Sequence, residues 1–406
     1  MASIARENLF ANIPRLVIAQ AGILFAVSLV TLQTGIFLGF SRSVSALIDQ
    51  SKADMWITPK SVDHLGVGIP LRYERLGQTR RVEGVARAEA VIFRGDVWRN
   101  ARDETATITL IGLDPQAKLF APLNLSQRKL SDLKPAYTLL VDKSNRGDLN
   151  VTKVGNKGVI GGLPAEVAGF TQGVQSIIFS PIVFMSLQSA KAYTTTPPAT
   201  RLPCAIAAEG IDCRTTPADF PPTPTALKGD DAISYILVQA EANTDLERLK
   251  QRLADALPDS RIWTRAEFAQ SNQTFWEQRS NIGVILGLGA AIGVVVGIVV
   301  VGQILYASVS EHIKQFGTLK AMGASPWVIY GVIGEQALWM AVLGYIPGLV
   351  LSIVVAEWVI ARGIIILILP TTAAGIFGVT LLMCFTAAAF AIRKVMRVDP
   401  ATVFRS

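Results

Sequence analysis

The feature that most constrains this chain is an uncharged apolar run from Asn281 to Tyr306, rich in Gly, Val, Ile and Ala. About 20 apolar helical residues cross a hydrocarbon core roughly 30 Å thick, so this run is long enough to span a membrane. Three small-xxx-small pairs, Gly283/Gly287, Gly289/Gly293 and Gly293/Gly297, strip side-chain bulk from it and let another helix approach closely. The run leads into a short polar elbow, Ser310 to Ser325, and a second apolar run starts at Trp327.

Two further apolar runs complete a set of four spans, at residues 16–40, 281–308, 327–355 and 364–392. The first is too long for the apolar region of a cleaved signal peptide and holds Gln20, Thr31, Gln33 and Thr34, so it reads as a retained transmembrane helix. The short segments on one side carry Arg6, Arg15, Lys314, Lys320, Arg393, Lys394, Arg397 and Arg405, whereas the short loop on the other carries Arg362 alone. This asymmetry puts the N-terminus (1–15), the elbow (309–326) and the C-terminus (393–406) in the cytoplasm. Residues 41–280 then lie outside, and they hold 29 of the 38 basic and 26 of the 31 acidic side chains. Their balance of +3 (29 against 26) does not mark a nucleic-acid surface, and the basic excess of the whole chain reflects membrane orientation.

The expected fold is therefore an α-helical membrane protein of four transmembrane helices. A large mixed α/β extracytoplasmic domain of two lobes is inserted between helices 1 and 2. Within that domain, 53–58, 88–93 and 105–113 alternate like strands, and 71–82 reads as a helix stopped by Gly84. The far end repeats the grammar: a strand over 232–239, Thr244 as cap of a helix running to Leu257, and a return strand over 261–264. The two β-α-β arms fold together as one lobe. An insert at 117–228, richer in Gly, Pro and Thr, with strands at 174–179 and 183–187, forms a second, β-rich lobe.

Catalytic constellations are missing from the pattern. His64 lies outside and His312 in the elbow, so the two histidines face different compartments and assemble neither a zinc site nor a triad. Gly155-Asn-Lys-Gly158 lacks the Gly-Lys-Ser/Thr ending of a phosphate-binding loop. Cys204 and Cys213, nine positions apart in a polar loop, pair if that loop faces an oxidising compartment or stay as two thiols, and the sequence leaves both open. Glu335 falls about two turns into the third span, where a carboxylate is costly, and Pro347 interrupts the same span.

The elbow, Ser310-Glu-His-Ile-Lys-Gln-Phe-Gly-Thr-Leu-Lys-Ala-Met-Gly-Ala-Ser325, resembles the signature after the second transmembrane helix of FtsX-like (MacB-type) ABC transporter permeases. The closing stretch Arg393-Lys-Val-Met-Arg-Val-Asp-Pro-Ala is similar to the basic end of that family. The start, Pro14 to Gly39 with Ala53-Asp-Met-Trp-Ile, looks closest to the DevC-type branch. One departure stands out: where the family reads Arg-Glu-Ile-Gly, this chain reads Lys314-Gln315-Phe316-Gly317, without the acidic residue.

The resemblance implies that Glu311, His312, Ile313, Lys314, Gln315, Phe316, Gly317, Thr318, Leu319 and Lys320 form a coupling helix seated in a separate cytoplasmic ABC ATPase. ATP and Mg would bind on that partner, with no cofactor on this chain, which acts as a non-catalytic subunit. It also implies a second copy of the chain, for which the glycine face of the second span offers a contact. A periplasmic adaptor (membrane-fusion) protein and an outer-membrane duct would follow if the likeness to the DevC branch holds. The expected place is the bacterial inner membrane, among membrane lipid. The alternative function on the same scaffold is a cell-division-type regulator of a cell-wall hydrolase.

Overall fold

The computed structural model describes residues 13–66, 69–120, 130–173, 178–179, 181–195, 204–207, 210–213, 221–311, 318, 325–360 and 365–396. It divides into two compact units, residues 41–279 and a membrane unit formed by 1–40 with 280–406.

The membrane unit is built on four long apolar helices: α1 (Ile13–Asp49), α6 (Ile282–Glu311), α7 (Pro326–Ile360) and α8 (Pro370–Met396). All four are long and apolar enough to cross a membrane. Two of their ends lie furthest from the sequence reading. α1 continues unbroken to Asp49, nine residues past the expected end at 40. The last helix starts at Pro370 and not at 364, because proline fits the first helical turn and pushes the residue before it towards an extended conformation. Residues 365–369 are not helical, and the Leu367 N–H donates to the Gly35 carbonyl at 2.9 Å. Such backbone is tolerated at membrane depth only where protein covers it. Gly35 and Gly39 provide the cover: a Cβ on Gly35 would sit 2.8 Å from Ile366 Cγ2, and one on Gly39 would fall on the Ile365 carbonyl oxygen.

The outer unit starts with β1 (Met55–Pro59), β2 (Leu71–Arg72), α2 (Glu74–Arg80), β3 (Val85–Asn100) and β4 (Thr105–Leu113). There follow β5 (Thr138–Asp142), β6 (Lys157–Ile160), β7 (Leu163–Thr171), β8 (Ile182–Ser186), α3 (Leu187–Thr195), β9 (Cys204–Ala207) and β10 (Gly210–Cys213). It closes with β11 (Ala232–Ile233), β12 (Tyr235–Ala240), α4 (Leu246–Ala256), β13 (Ser260–Thr264) and α5 (Arg265–Ser280). The expected helix over 71–82 is shorter, since Leu71–Arg72 pair instead with β11, and Gly84 ends the turn at φ +95. The cap of α4 is Asp245, one residue after the expected Thr244: its carboxylate accepts from the Glu247 N–H at 3.0 Å and adds a favourable charge at the helix N-terminus.

The two arms do fold together. Strands β13, β1, β12 and β3 form an antiparallel sheet in that order, the split β-α-β arrangement of a ferredoxin-like unit. Helices α2 and α4 cover one face through Leu76, Leu249 and Leu253. The end of α1 and α5 cover the other through Leu47, Ile48 and Phe268. With both faces covered, every residue of β1 is buried, which is why its sequence is nearly all apolar. Trp56, 1% exposed, centres the second face, with Phe120, Tyr235 and Phe268 at ring distances of 6.4, 5.9 and 5.5 Å.

The insert shares a strand with the arms. The sixteen-residue β3 pairs with β12 over its first half and with β4 and β6 over its second. From there β4 pairs β8, β8 pairs β5, β5 pairs β7 and β7 returns to β6, so these strands close a ring on β3. The junction between arms and insert thus runs through one strand, well before residue 117. Trp98, Leu110, Leu139 and Val183 fill the core within the ring, and Gly158 is forced because a Cβ there would collide with the Trp98 ring. Of the strand expected at 174–179, residues 174–177 lie outside the described residues, and 178–179 form a turn.

Candidate functional site

The elbow is approached from α6, whose last residue Glu311 is exposed. Thr318 is helical and exposed, while His312, Ile313, Lys314, Gln315, Phe316, Gly317, Leu319 and Lys320 lie outside the described residues. On the return side the Ser325 hydroxyl accepts from the Trp327 N–H at 3.4 Å as α7 begins.

The glycines of α6 are taken up within the chain. A Cβ on Gly283 would sit 3.2 Å from the Phe37 ring, and one on Gly293 would sit 3.0 Å from Leu29 of α1. Gly297 faces Met383 of α8, with Ala26 of α1 at 3.1 Å. Gly289 makes room for the Gln33 carboxamide. Only at Gly287, among these five, would a Cβ meet nothing within 4 Å. The close packing that the sequence allows is therefore spent mainly on α1 and α8 of the same chain.

Glu335 is half-buried on α7 beside the buried Gln336. α7 runs on through Pro347, and the next carbonyl, Gly348, accepts from the hydroxyls of Ser28 on α1 at 3.0 Å and Ser352 at 2.7 Å. Cys204 and Cys213 stand opposite each other in the register of the β9–β10 hairpin, and their side chains lie outside the described residues. Among the described residues no three His, Cys, Asp or Glu side chains converge to hold a metal.

The outer unit carries one feature that sequence reasoning missed, a cleft of about 550 Å³ along the edge strand β13 and α5. Lys250, Arg261, Trp263, Glu267 and Phe275 line it. Arg261 lies over the Trp263 ring at 4.0 Å, and His64 stacks on Phe275 at 3.6 Å. Lys250 Nζ reaches both oxygens of Glu267 at 2.6 and 2.7 Å. Burial pulls the Glu267 carboxyl up, but the hydrogen bonds from Lys250 and the Thr264 N–H outweigh it and hold the group below its ordinary value. Asp231 behaves alike: burial raises it, and Lys191 Nζ at 2.6 Å with the Lys228 N–H brings it down. Tyr235, by contrast, is pushed up to about 12 by burial, and its hydroxyl both donates to and accepts from the Gly66 backbone.

A depressed carboxyl stabilises the fold above its unfolded value and loses that contribution as pH falls through the folded one. The outer unit should therefore unfold more readily in acid below about pH 4.5, the ordinary range of these groups. Lys250→Met should lower stability at neutral pH slightly and flatten the acid slope. The effect is small because the Glu267 side chain is 42% exposed and screened. Thermal melts of the full chain between pH 3 and 7 check it, and an unchanged slope would remove the ion pair from the account.

Comparison with known proteins accounts for both units. The family model for a MacB-like periplasmic core domain matches residues 16–256, and that for the FtsX-like permease C-terminal matches residues 287–400. An uncharacterized ABC transporter permease of Methanocaldococcus jannaschii is 30% identical over 128 residues, 30% of this chain and 32% of that protein. The pyoverdine export ATP-binding/permease protein PvdT of Pseudomonas syringae pv. tomato is 24% identical over 166 residues, 41% of this chain and 25% of that protein. The matched stretches thus span a third or less of these relatives. The periplasmic region of MacB from Actinobacillus actinomycetemcomitans, a crystal structure, aligns with 55% of this chain and 94% of its own at 13% identity and a TM-score of 0.39. The chain belongs to the ABC transporter permease family that joins a MacB-like periplasmic core domain to an FtsX-like membrane region.

Proposed function

We propose that this chain is the permease subunit of an export-type ABC transporter, passing the motion of a separate ATPase through its membrane helices to the outer unit. The reading is carried by the two family matches together, which fall on the outer unit and on the membrane unit of one chain. The name of the pyoverdine export relatives supports the outward direction and the involvement of ATP binding. In this reading ATP and Mg bind on the partner, and residues 311–320 seat in it. Two copies of the permease work together in the bacterial inner membrane with both termini in the cytoplasm. An adaptor protein and an outer-membrane duct complete the path if the chain works as the DevC-type branch does.

The test is affinity purification from native membranes in mild detergent, with the native chain and with Lys314 to Lys320 replaced by a Gly/Ser stretch. We expect an ATPase to co-purify with the native chain and to drop at least tenfold with the altered elbow. No ATPase with either chain, even after cross-linking, would overturn the reading.

A further inference from the structure

Between α3 and β11 the chain carries a hairpin that the main sheet does not support. Among the described residues, β9 and β10 pair with each other and with no strand of the nine-stranded sheet. The stretch is anchored on both sides of the hairpin. Lys191 Nζ on α3 donates to the Ala226 carbonyl at 3.3 Å, and the Tyr137 hydroxyl donates to the Pro222 carbonyl. An isolated two-stranded hairpin is marginal in water at best, and the connection Ala208-Glu209 holds neither the Asn nor the Gly that two-residue turns favour. Something besides the backbone ladder has to hold these four-residue strands together.

The register supplies it. Ala207 pairs with Gly210, Ile206 with Ile211, Ala205 with Asp212 and Cys204 with Cys213. A pair that closes a two-residue connection exchanges both backbone hydrogen bonds, since the other kind of pair would require residue 209 to bond its own neighbour. The two kinds alternate along an antiparallel ladder, which makes Ala205/Asp212 hydrogen-bonded and Cys204/Cys213 non-hydrogen-bonded. Directly opposite Cβ atoms lie about 4.5–5.5 Å apart, the lower end belonging to non-hydrogen-bonded pairs. A disulfide spans Cβ atoms roughly 3.5–4.5 Å apart, so of the two kinds this pair closes with the smaller movement. We propose that Cys204 and Cys213 form an intrachain disulfide that staples this hairpin, made by exchange with an oxidised dithiol protein outside the membrane. It rests on the outward placement of residues 41–280 read above. One cysteine thiolate breaks the oxidant's S–S bond and forms a mixed disulfide, from which the second thiolate displaces the oxidant's sulfur. Two electrons and the two thiol protons pass to the oxidant, which leaves as a dithiol. Cys384, the third cysteine, is free and buried in α8, so a reductant has one target in this chain.

The full chain is taken from native membranes without reductant, its thiols are blocked with iodoacetamide, and its tryptic peptides are weighed. Arg201 and Arg214 flank the hairpin, so both cysteines fall in the single peptide 202–214. That peptide should appear unalkylated and about 2 Da below its dithiol mass, and should take two alkyl groups only after reduction. Two alkyl groups without reduction, or two such peptides joined to each other, would overturn the staple. Cys204→Ser then tells which premise failed, because it leaves Cys213 as a lone thiol. Labelling of that thiol by a membrane-impermeant maleimide on intact spheroplasts keeps the outward placement and refutes the pairing alone. Protection until the membrane is permeabilised refutes the placement itself. The staple should also show in the folded chain: reduction should speed cleavage after Glu209 by a glutamate-specific protease about tenfold. The double variant Cys204→Ser with Cys213→Ser should be cut at the fast rate with or without reductant. An unchanged rate on reducing the native chain would mean that the bond does not hold the hairpin.

Discussion

Gly39→Val should destabilise the membrane unit by about 3 kcal/mol, at the upper end of what overpacking costs. The reason is the identity of the atom in the way. A Cβ at Gly39 falls on the carbonyl oxygen of Ile365, which is backbone and cannot swing aside as the tip of a side chain can. Relief requires residues 365–369 to shift from α1, and the bond from Leu367 N–H to the Gly35 carbonyl then breaks in surroundings that offer no substitute. Valine adds branching at the same carbon and has few rotamers with which to escape. Melting of the full chain in detergent is the readout, with Gly287→Val as the control that should change stability by less than about 0.5 kcal/mol. Equal melting temperatures for the two variants would show that the non-helical segment yields without cost.

Trp56→Ala should cost the outer unit about 3–5 kcal/mol, a large part of the 5–15 kcal/mol that ordinarily separates folded from unfolded domains. Trp56 is 1% exposed, touches three aromatic rings and donates from Nε1 to the Ser51 hydroxyl at 3.2 Å. Alanine removes the contacts that tie β1 to α5 and leaves a cavity that the twisted sheet cannot collapse to fill. Trp56→Phe keeps one ring in place and should lose roughly a third as much. Protease resistance of residues 41–279 in the full chain, followed against urea, reports the difference, and a midpoint within error of the native one for Trp56→Ala would contradict this packing.

Much of the architecture was legible because membrane spans and βα arms write themselves in local period. The run from Ile282 carries its own length signal, and the arms at 53–113 and 232–264 show strand alternation and helix stops at close range. What escaped was decided at long range. No local pattern reveals that Arg99 pairs with Val159 while Val85 pairs with Ala240, and this double pairing of β3 is what merges the insert with the arms. The segment 365–369 reads as helix by its run of Ile and Leu, and only Pro370 hints otherwise. For the candidate sites, the glycines of α6 were visible but not their partners, since a stripe of small residues does not say which helix will fill it. Gln33 was visible as a polar residue in an apolar run, yet nothing in the run says that Gly289 makes room for its carboxamide. The elbow residues 312–317 were legible as a resemblance and lie outside the described residues.

The sharing of β3 between the two sheets has a consequence for the order in which the chain is made. Every strand of the ring, from Val85 to Ser186, has been synthesised before β12 begins at Tyr235. The ring can therefore close while translation continues, using contacts of moderate sequence separation. β1 is in the opposite position: its two neighbours are β12 and β13, so Met55–Pro59 has no hydrogen-bonded strand until Tyr235–Ala240 has been made, and only one until Thr264. Throughout that interval a nearly all apolar strand is exposed to whatever surrounds the nascent outer unit, the condition under which partly folded chains stick to one another. Slowing synthesis between residues 186 and 264 should therefore raise aggregation of this protein, whereas slowing it after 280 should not.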